Sequence, residues 1–231
     1  MNAHEPQETT GRSDLPVAGG PAGAGSPAVR LVATLALAGA IAGLLIVVVF
    51  QWAQPRILAY QALMLRQAIE EVLGDPARYE TLYVVDGALS PQLPAGADSM
   101  ALDKVYLGYN ETDGPVGFAI VGAEAGFQDV VRMIFGYDAQ DNRILGMKVL
   151  ENKETPGLGD RIEKDSGFVG GFTGAATPIK GVKTGSGTGA EEEVDMITGA
   201  TISSRVVIGI INHRLETLGP LLREHRAGGG S

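Results

Sequence analysis

The chain contains no cysteine. That absence excludes disulfides, thiolate metal sites, cysteine-ligated iron–sulfur clusters and cysteine nucleophiles together. It leaves the compartment open, since exported domains without disulfides are permitted. Histidine is scarce as well: His4, His213 and His225 are scattered, and none has a partner at metal-ligand spacing. Positive charge is short too, with 18 Lys and Arg against 27 Asp and Glu and a net charge of −9. No basic run interleaves with aromatics, so nucleic acid is not expected as a partner. No G-x-G-x-x-G follows a strand pattern, and no G-x-x-x-x-G-K-[ST] occurs. No internal repeat is visible.

What the chain does have is apolar residues (45%) and 33 glycines, a globular composition somewhat heavy in glycine. Its 231 residues suit one domain with appendages. Leu31 to Phe50 read LVATLALAGAIAGLLIVVVF, twenty residues without a charge, followed by Gln51, Trp52 and Arg56. At about 1.5 Å per residue such a helix spans about 30 Å, the thickness of the hydrocarbon layer. Trp52 sits where an interfacial aromatic belongs. The run is too long, and too far from residue 1, for a cleaved signal peptide. A retained transmembrane helix over 31–53 is therefore expected, with the lipid bilayer as a partner. Flanking charge is a weak guide to its orientation. The preceding residues 1–30 are rich in Pro, Gly, Ala and Ser and read as a disordered tail. Residues 227–231 read as a flexible C-terminus, which leaves 56–226 as the folded domain.

Within that domain Leu58, Leu65, Ile69 and Leu73 recur near helical spacing, and Gly74-Asp75-Pro76 closes the pattern. Five β-branched and aromatic runs follow: 81–85, 104–109, 116–123, 130–138 and 143–151. The last two form a hairpin across a short polar loop. Val131, Met133 and Phe135 alternate with Arg132, Ile134 and Gly136, so one face looks cleaner than the other. Residues 155–190 are glycine-rich and read as a long loop, the kind usually functional or disordered. Val207, Ile210, Ile211, Leu215 and Leu218 then form a helical stripe that Gly219-Pro220 should stop. The expected fold class is α+β: one N-terminal transmembrane helix, then a mainly antiparallel sheet flanked by helices.

The segment Asp195-Met196-Ile197-Thr198-Gly199-Ala200-Thr201-Ile202-Ser203-Ser204 lies directly before the last helix. Thr201 or Ser203 is placed to cap that helix. Free N–H groups and the positive end of the helix dipole favour an anion there, phosphate above all. Gly199 and Ala200 keep side-chain bulk away from Thr201. A plain helix start would look the same.

Thr198-Gly199-Ala200-Thr201 also resembles the [ST]GAT flavinylation motif of the FMN-binding domain family. Glu154-Thr155-Pro156-Gly157-Leu158-Gly159-Asp160 resembles that family's ETPGLG loop. The two motifs stand in the right order behind one N-terminal span, and the resemblance covers roughly residues 31–222. Within the family, Asp160-Arg161-Ile162-Glu163 and Ser203-Ser204-Arg205-Val206-Val207 are more similar to RnfG of Rnf complexes than to NqrC. Some positions depart from the pattern. Thr198 stands where Ser is commoner and Asn152 where a His often stands. Gly126-Phe127-Gln128-Asp129 replaces an aromatic-x-Gly turn, and 169–190 align with nothing.

The resemblance implies FMN joined by a phosphoester to Thr201, attached by a flavin transferase that uses FAD and Mg²⁺. Thr198, Gly199 and Ala200 would flank the linkage. Thr155, Gly157, Leu158 and Gly159 would form a wall of the flavin site. Asp195 and Arg205 stay open, each either near the phosphate chemistry or merely structural. Glu191-Glu192-Glu193 reads as a solvated face, and Tyr106, Tyr109 and Phe135 as sheet residues. No catalytic residue and no metal site are expected. The implied protein is a single-pass component of the bacterial inner membrane, its domain on the periplasmic side. It would relay electrons beside other membrane subunits of an ion-translocating, ferredoxin-to-NAD⁺ complex. An NqrC-like member of a Na⁺-translocating quinone reductase, or a cofactor-free anchored binding or assembly protein, are the alternatives.

Overall fold

The computed structural model of the chain describes residues 27–94, 96–98 and 101–228. The chain divides into two compact units, Met1–Arg56 and Ile57–Ser231. Most of the expected tail, residues 1–26, and the last residues, 229–231, lie outside the described residues. The first helix, α1, runs Pro27–Val72 and so begins four residues before the expected span. Proline is well suited to a first helical position, where its missing N–H is no loss. Pro55 lies inside the helix. In the first unit α1 has an apolar stretch long enough to cross a membrane, none of it buried. Arg56 stacks on the Trp52 ring at 3.9 Å, covering the aromatic at the polar end of the apolar run.

The second unit is built on six strands: β1 Arg78–Val85, β2 Ala88–Ser90, β3 Lys104–Tyr109, β4 Pro115–Ala125, β5 Val130–Asp138 and β6 Arg143–Glu151. They form one antiparallel sheet in the order β2-β1-β3-β4-β5-β6. Strands β3, β5 and β6 have the expected bounds. Strand β2 is too short to leave a periodic trace.

The one-sided reading of β5 needs correction. Val131, Met133 and Phe135 do face a large core, but Ile134 on the other face is also fully buried. The C-terminal part of α1 covers it: Ala68, Ile69, Val72 and Leu73 pack on Ala119 and Ile134. A strand covered on both faces loses its clean alternation. Gly74 and Asp75, at positive φ, then end α1, with Asp75 N–H donating to Glu70 O at 2.8 Å.

The loop reading of 155–190 is also corrected in part. Short helices α2 Arg161–Lys164 and α3 Ser166–Gly170 fall there, as does β7 Lys180–Lys183. Strand β7 pairs in parallel with β8, Glu193–Met196. Ile162, Phe168 and Phe172 plug the main core from this segment, so a few apolar residues among the glycines suffice to fix it. Glu193 is not on a solvated face: its side chain is 5% exposed and pairs with Lys180. The Thr188 backbone N–H, with its hydroxyl and Lys180, holds the Glu193 carboxyl below the usual range.

The last helix, α4, is Thr201–Gly228 and passes straight through Pro220. Leu218 and Leu222 are both buried, so stopping at Gly219 would expose Leu222. Pro220 itself is exposed, and having no N–H it cannot make the helical bond of its position. Arg226 donates to Pro115 O at 2.6 Å and fastens the final turns to β4.

Candidate functional site

Two connections meet at the N-terminal end of α4. The first is the segment between β6 and α2. Here Leu158 N–H donates to Thr155 O at 3.1 Å, and Gly157 N–H donates to the Asp160 carboxylate at 2.6 Å. Gly157 has φ +77°, a conformation that favours glycine. Lys164, bonded at 2.6 Å, is the main reason the Asp160 carboxyl lies below its ordinary range. This tight turn leaves the Leu158 side chain 51% exposed.

The second connection runs from β8 into α4. Ile197 N–H donates to Ser204 Oγ at 3.1 Å, and Ser204 Oγ–H donates to Ala200 O at 2.9 Å. One buried hydroxyl thus pins the turn through Thr198-Gly199-Ala200. Gly199 at φ +87° makes the reversal. Thr201 becomes the first helical residue, half-buried, and its hydroxyl has no hydrogen-bond partner among the described residues. Ser203, the other residue placed to cap this helix, instead points inward, 3% exposed.

Its partner is Glu154, which ties the site together. Ser203 Oγ–H donates to Glu154 Oε2 at 2.8 Å. Phe127 and Gln128 N–H groups donate to Oε1 at 2.8 and 3.2 Å. Three separate segments therefore converge on one carboxyl group that is 4% exposed. They approach so closely that two glycines are required. A Cβ on Gly159 would lie 2.7 Å from Glu154 Cβ and Oε2, and one on Gly126 would lie 2.2 Å from Oε1. The unusual turn at 126–129 is thus specified by Glu154, with Gly126 N–H closing it on Asp129 O at 2.8 Å.

These segments enclose a cavity of about 320 Å³. Of the residues expected to hold a cofactor, Thr155, Leu158, Gly159, Gly199, Ala200 and Thr201 line it. Two are placed otherwise. Gly157 shapes the turn without being a wall. Thr198 faces away: its hydroxyl donates to Thr184 Oγ1 at 3.3 Å, in an adjoining cavity with Arg161, Asp165 and Asp195. Arg161 spans that side, donating to Thr198 O at 3.2 Å and to Asp165 at 2.7 Å. The Phe168 N–H, then Arg161, keep the Asp165 carboxyl below the usual range. Asp195 is exposed on β8, and Arg205 is exposed without an ion pair among the described residues.

Sequence reasoning missed Glu154, Ser203, Phe127 and Ile202, which complete the cavity lining. Glu154 opens a motif that draws attention to its glycines instead. Phe127 and Ile202 are 62% and 52% exposed, and with Leu158 they form an apolar rim. Large apolar side chains so exposed in one ring mark a surface made for an occupant.

This arrangement suits a phosphorylated flat aromatic cofactor. The start of a 28-residue helix supplies N–H groups and a positive dipole end for a phosphate. An unbonded hydroxyl stands there, the floor beside it carries little side-chain bulk, and the rim is apolar. Comparison with known proteins defines the class: residues 126–216 match the FMN-binding domain. The fold agrees. Shewanella oneidensis NqrC superposes with a TM-score of 0.59 at 16% identity, over 72% of this chain and 99% of that one. The corresponding C component of the Na⁺-translocating NADH-quinone reductase from Parabacteroides distasonis gives 0.54 at 20%, over 73% and 95%.

Sequence similarity over most of the chain carries the assignment further. The G component of the ion-translocating oxidoreductase complex of Yersinia pestis is 30% identical, covering 71% of this chain and 79% of that protein. That of Salmonella typhi is 33% identical over 65% and 72%. That of Methanosarcina acetivorans is 25% identical over 81% and 92%. The chain belongs to this family, the G components of ion-translocating oxidoreductase complexes.

Proposed function

We propose that this chain is an electron-carrying subunit of a membrane-bound ion-translocating oxidoreductase of the ferredoxin-to-NAD⁺ type, with FMN held on Thr201 by a phosphoester. One observation carries the reading: an unpartnered, half-buried hydroxyl at the first position of a long helix, opening onto an apolar-rimmed cavity. Family membership supports the host complex, and the likeness to the NqrC-type structures supports the fold alone.

Thr201 Oγ would carry the FMN phosphate as an Oγ–P ester, made by a flavin transferase from FAD with Mg²⁺, the P–O–P bond being broken and AMP and the hydroxyl proton released. Within the chain, the helix N–H groups would orient that phosphate, and Gly199 would keep the approach open. Leu158, Ile202 and Phe127 offer the ring apolar cover and limit water. When bound, FMN supplies the electron-transfer chemistry, and the protein fixes its position. Covalent attachment keeps the cofactor on an extracytoplasmic domain. That placement puts residues 56–226 in the periplasm, anchored in the inner membrane by α1 beside the partner subunits.

The test is peptide mass spectrometry on full-length protein made with a flavin transferase. A flavin-phosphoryl adduct is expected on the Thr201 peptide, lost in Thr201→Ala and kept in Thr198→Ala, whose side chain faces Thr184. An unmodified wild-type peptide would leave the cofactor-free anchored reading. Co-purification of the neighbouring subunits separates the RnfG-type host from an NqrC-like one.

A further inference from the structure

Glu154 is the only ionisable side chain lining the cavity beside Thr201 among the described residues. It is 4% exposed and forms no ion pair among them. Lys153, next to it in sequence, pairs with Asp129 and Glu151, and Arg161, lining the adjoining cavity, pairs with Asp165. All three of its partners are donors, the pattern that a carboxylate satisfies.

A structural tie alone does not require this charge. Glutamine would accept the same two N–H bonds through its carbonyl and donate its NH₂ to Ser203 Oγ. Burying an unpaired carboxylate is costly, so its use where an amide would serve points to a role for the charge itself. We infer that Glu154 sets the redox potential of the flavin carried on Thr201, holding it low. Reduction adds negative charge to the ring, and a fixed anion in a partly water-excluded wall opposes that addition. The inference rests on the reading of Thr201 as the flavin-bearing residue.

Ser203 supplies the control. Its O–H is the one side-chain donor to Glu154 among the described residues, and it disperses the carboxylate charge. Glu154→Gln removes the charge and keeps the shape. Ser203→Ala keeps the charge and removes the donor. The two should therefore move the potential in opposite directions. Mere loosening of the cavity would move both the same way.

The experiment uses the full-length chain, flavinylated during expression and purified in detergent. Adduct mass on the Thr201 peptide, thermal melting and a spectroscopic potentiometric titration are measured on each protein. Glu154→Gln should keep its flavin and favour the reduced state about tenfold, roughly 30 mV for a two-electron couple. Ser203→Ala should shift to more negative potential by a smaller amount. Loaded proteins with unchanged potentials, or shifts of the same sign, overturn the inference and leave the flavin assignment intact. If Glu154→Gln does not fold, Ser203→Ala decides alone, and the absence of a negative shift overturns it. A wild-type Thr201 peptide without flavin removes the assignment and this inference together.

Discussion

Gly159→Ala places one methyl group where three segments meet. Its φ is ordinary, so backbone strain is not the issue. The added Cβ would lie 2.7 Å from Glu154 Cβ and Oε2 and 3.0 Å from Ser203 Oγ. Glu154 cannot retreat without releasing the Phe127 and Gln128 amides, and Ser203 is fixed in the first turn of α4. Overpacking of this kind costs about 1–3 kcal/mol, and a lost hydrogen bond to a charged group about 1.5–3 kcal/mol. Some relaxation is shared between the two, so about 3 kcal/mol is expected. For a domain of this size that is roughly 6–12 °C in Tm. The chain's single tryptophan, Trp52, lies in the first unit, so the melt is best followed through tyrosine near-ultraviolet ellipticity, to which buried Tyr137 contributes. Gly157→Ala, two residues away, is the control. That position has φ +77° and open space around it, so it should lose only about 1 kcal/mol from strain. Flavin loading should also be slower in Gly159→Ala than in Gly157→Ala. If Gly159→Ala melts no lower than Gly157→Ala, convergence on Glu154 is not what holds the site together.

Ile134→Ala should cost about 2–4 kcal/mol by denaturant unfolding, because α1 buries that side chain completely. An exposed second sheet face would predict almost no loss. Pro220→Ala should raise stability by about 2 kcal/mol, since the residue is exposed inside a continuing helix and alanine restores the missing bond. A fall in Tm there would mean the proline is needed for the α4 path. His213 Nδ1 lies 2.7 Å from a Glu124 carboxylate oxygen, and that bond raises its pKa above the ordinary histidine value. A raised folded-state pKa gives stabilisation that is fully present below the unfolded value, about 6.5, and is lost as pH rises through the folded value. An NMR titration should therefore show the His213 pKa falling in Glu124→Gln, and an unchanged midpoint would refute the pairing.

The strands are legible because their physics is local. Lys104–Tyr109 and Val130–Asp138 are dense in β-branched and aromatic residues and bounded by turn formers, so periodicity alone delimits them. What stays hidden depends on distant chain. Nothing near Ile134 announces that a helix far earlier in the sequence covers it. Nothing near Pro220 says that Leu222 has a core to fill. In 155–190 the glycines mask the pattern, yet Phe168 and Phe172 meet edge to face at 5.1 Å and anchor the segment in the core. A handful of well-placed apolar residues orders a segment whose average composition suggests no order.

The site shows the same division more sharply. Thr201 is legible because a helix start declares itself in sequence, and an anion site follows from backbone geometry alone. Adjacency groups Thr198 with it, but at a turn adjacent side chains diverge, and Gly199 at φ +87° sends Thr198 to Thr184 instead. Glu154 is hidden for the opposite reason. It is 49 residues from Ser203 and 27 from Phe127, and only the fold makes the three neighbours. Its signal in the sequence is indirect: Gly159, where a methyl group would meet Glu154 and Ser203, and Gly126, crowded both by Glu154 and by the Asp129 carbonyl of its own turn. A glycine with ordinary φ and no room for a methyl group reports something large beside it. Here that neighbour is a buried carboxylate at the wall of the cavity, and the glycines are conspicuous because the acid is not.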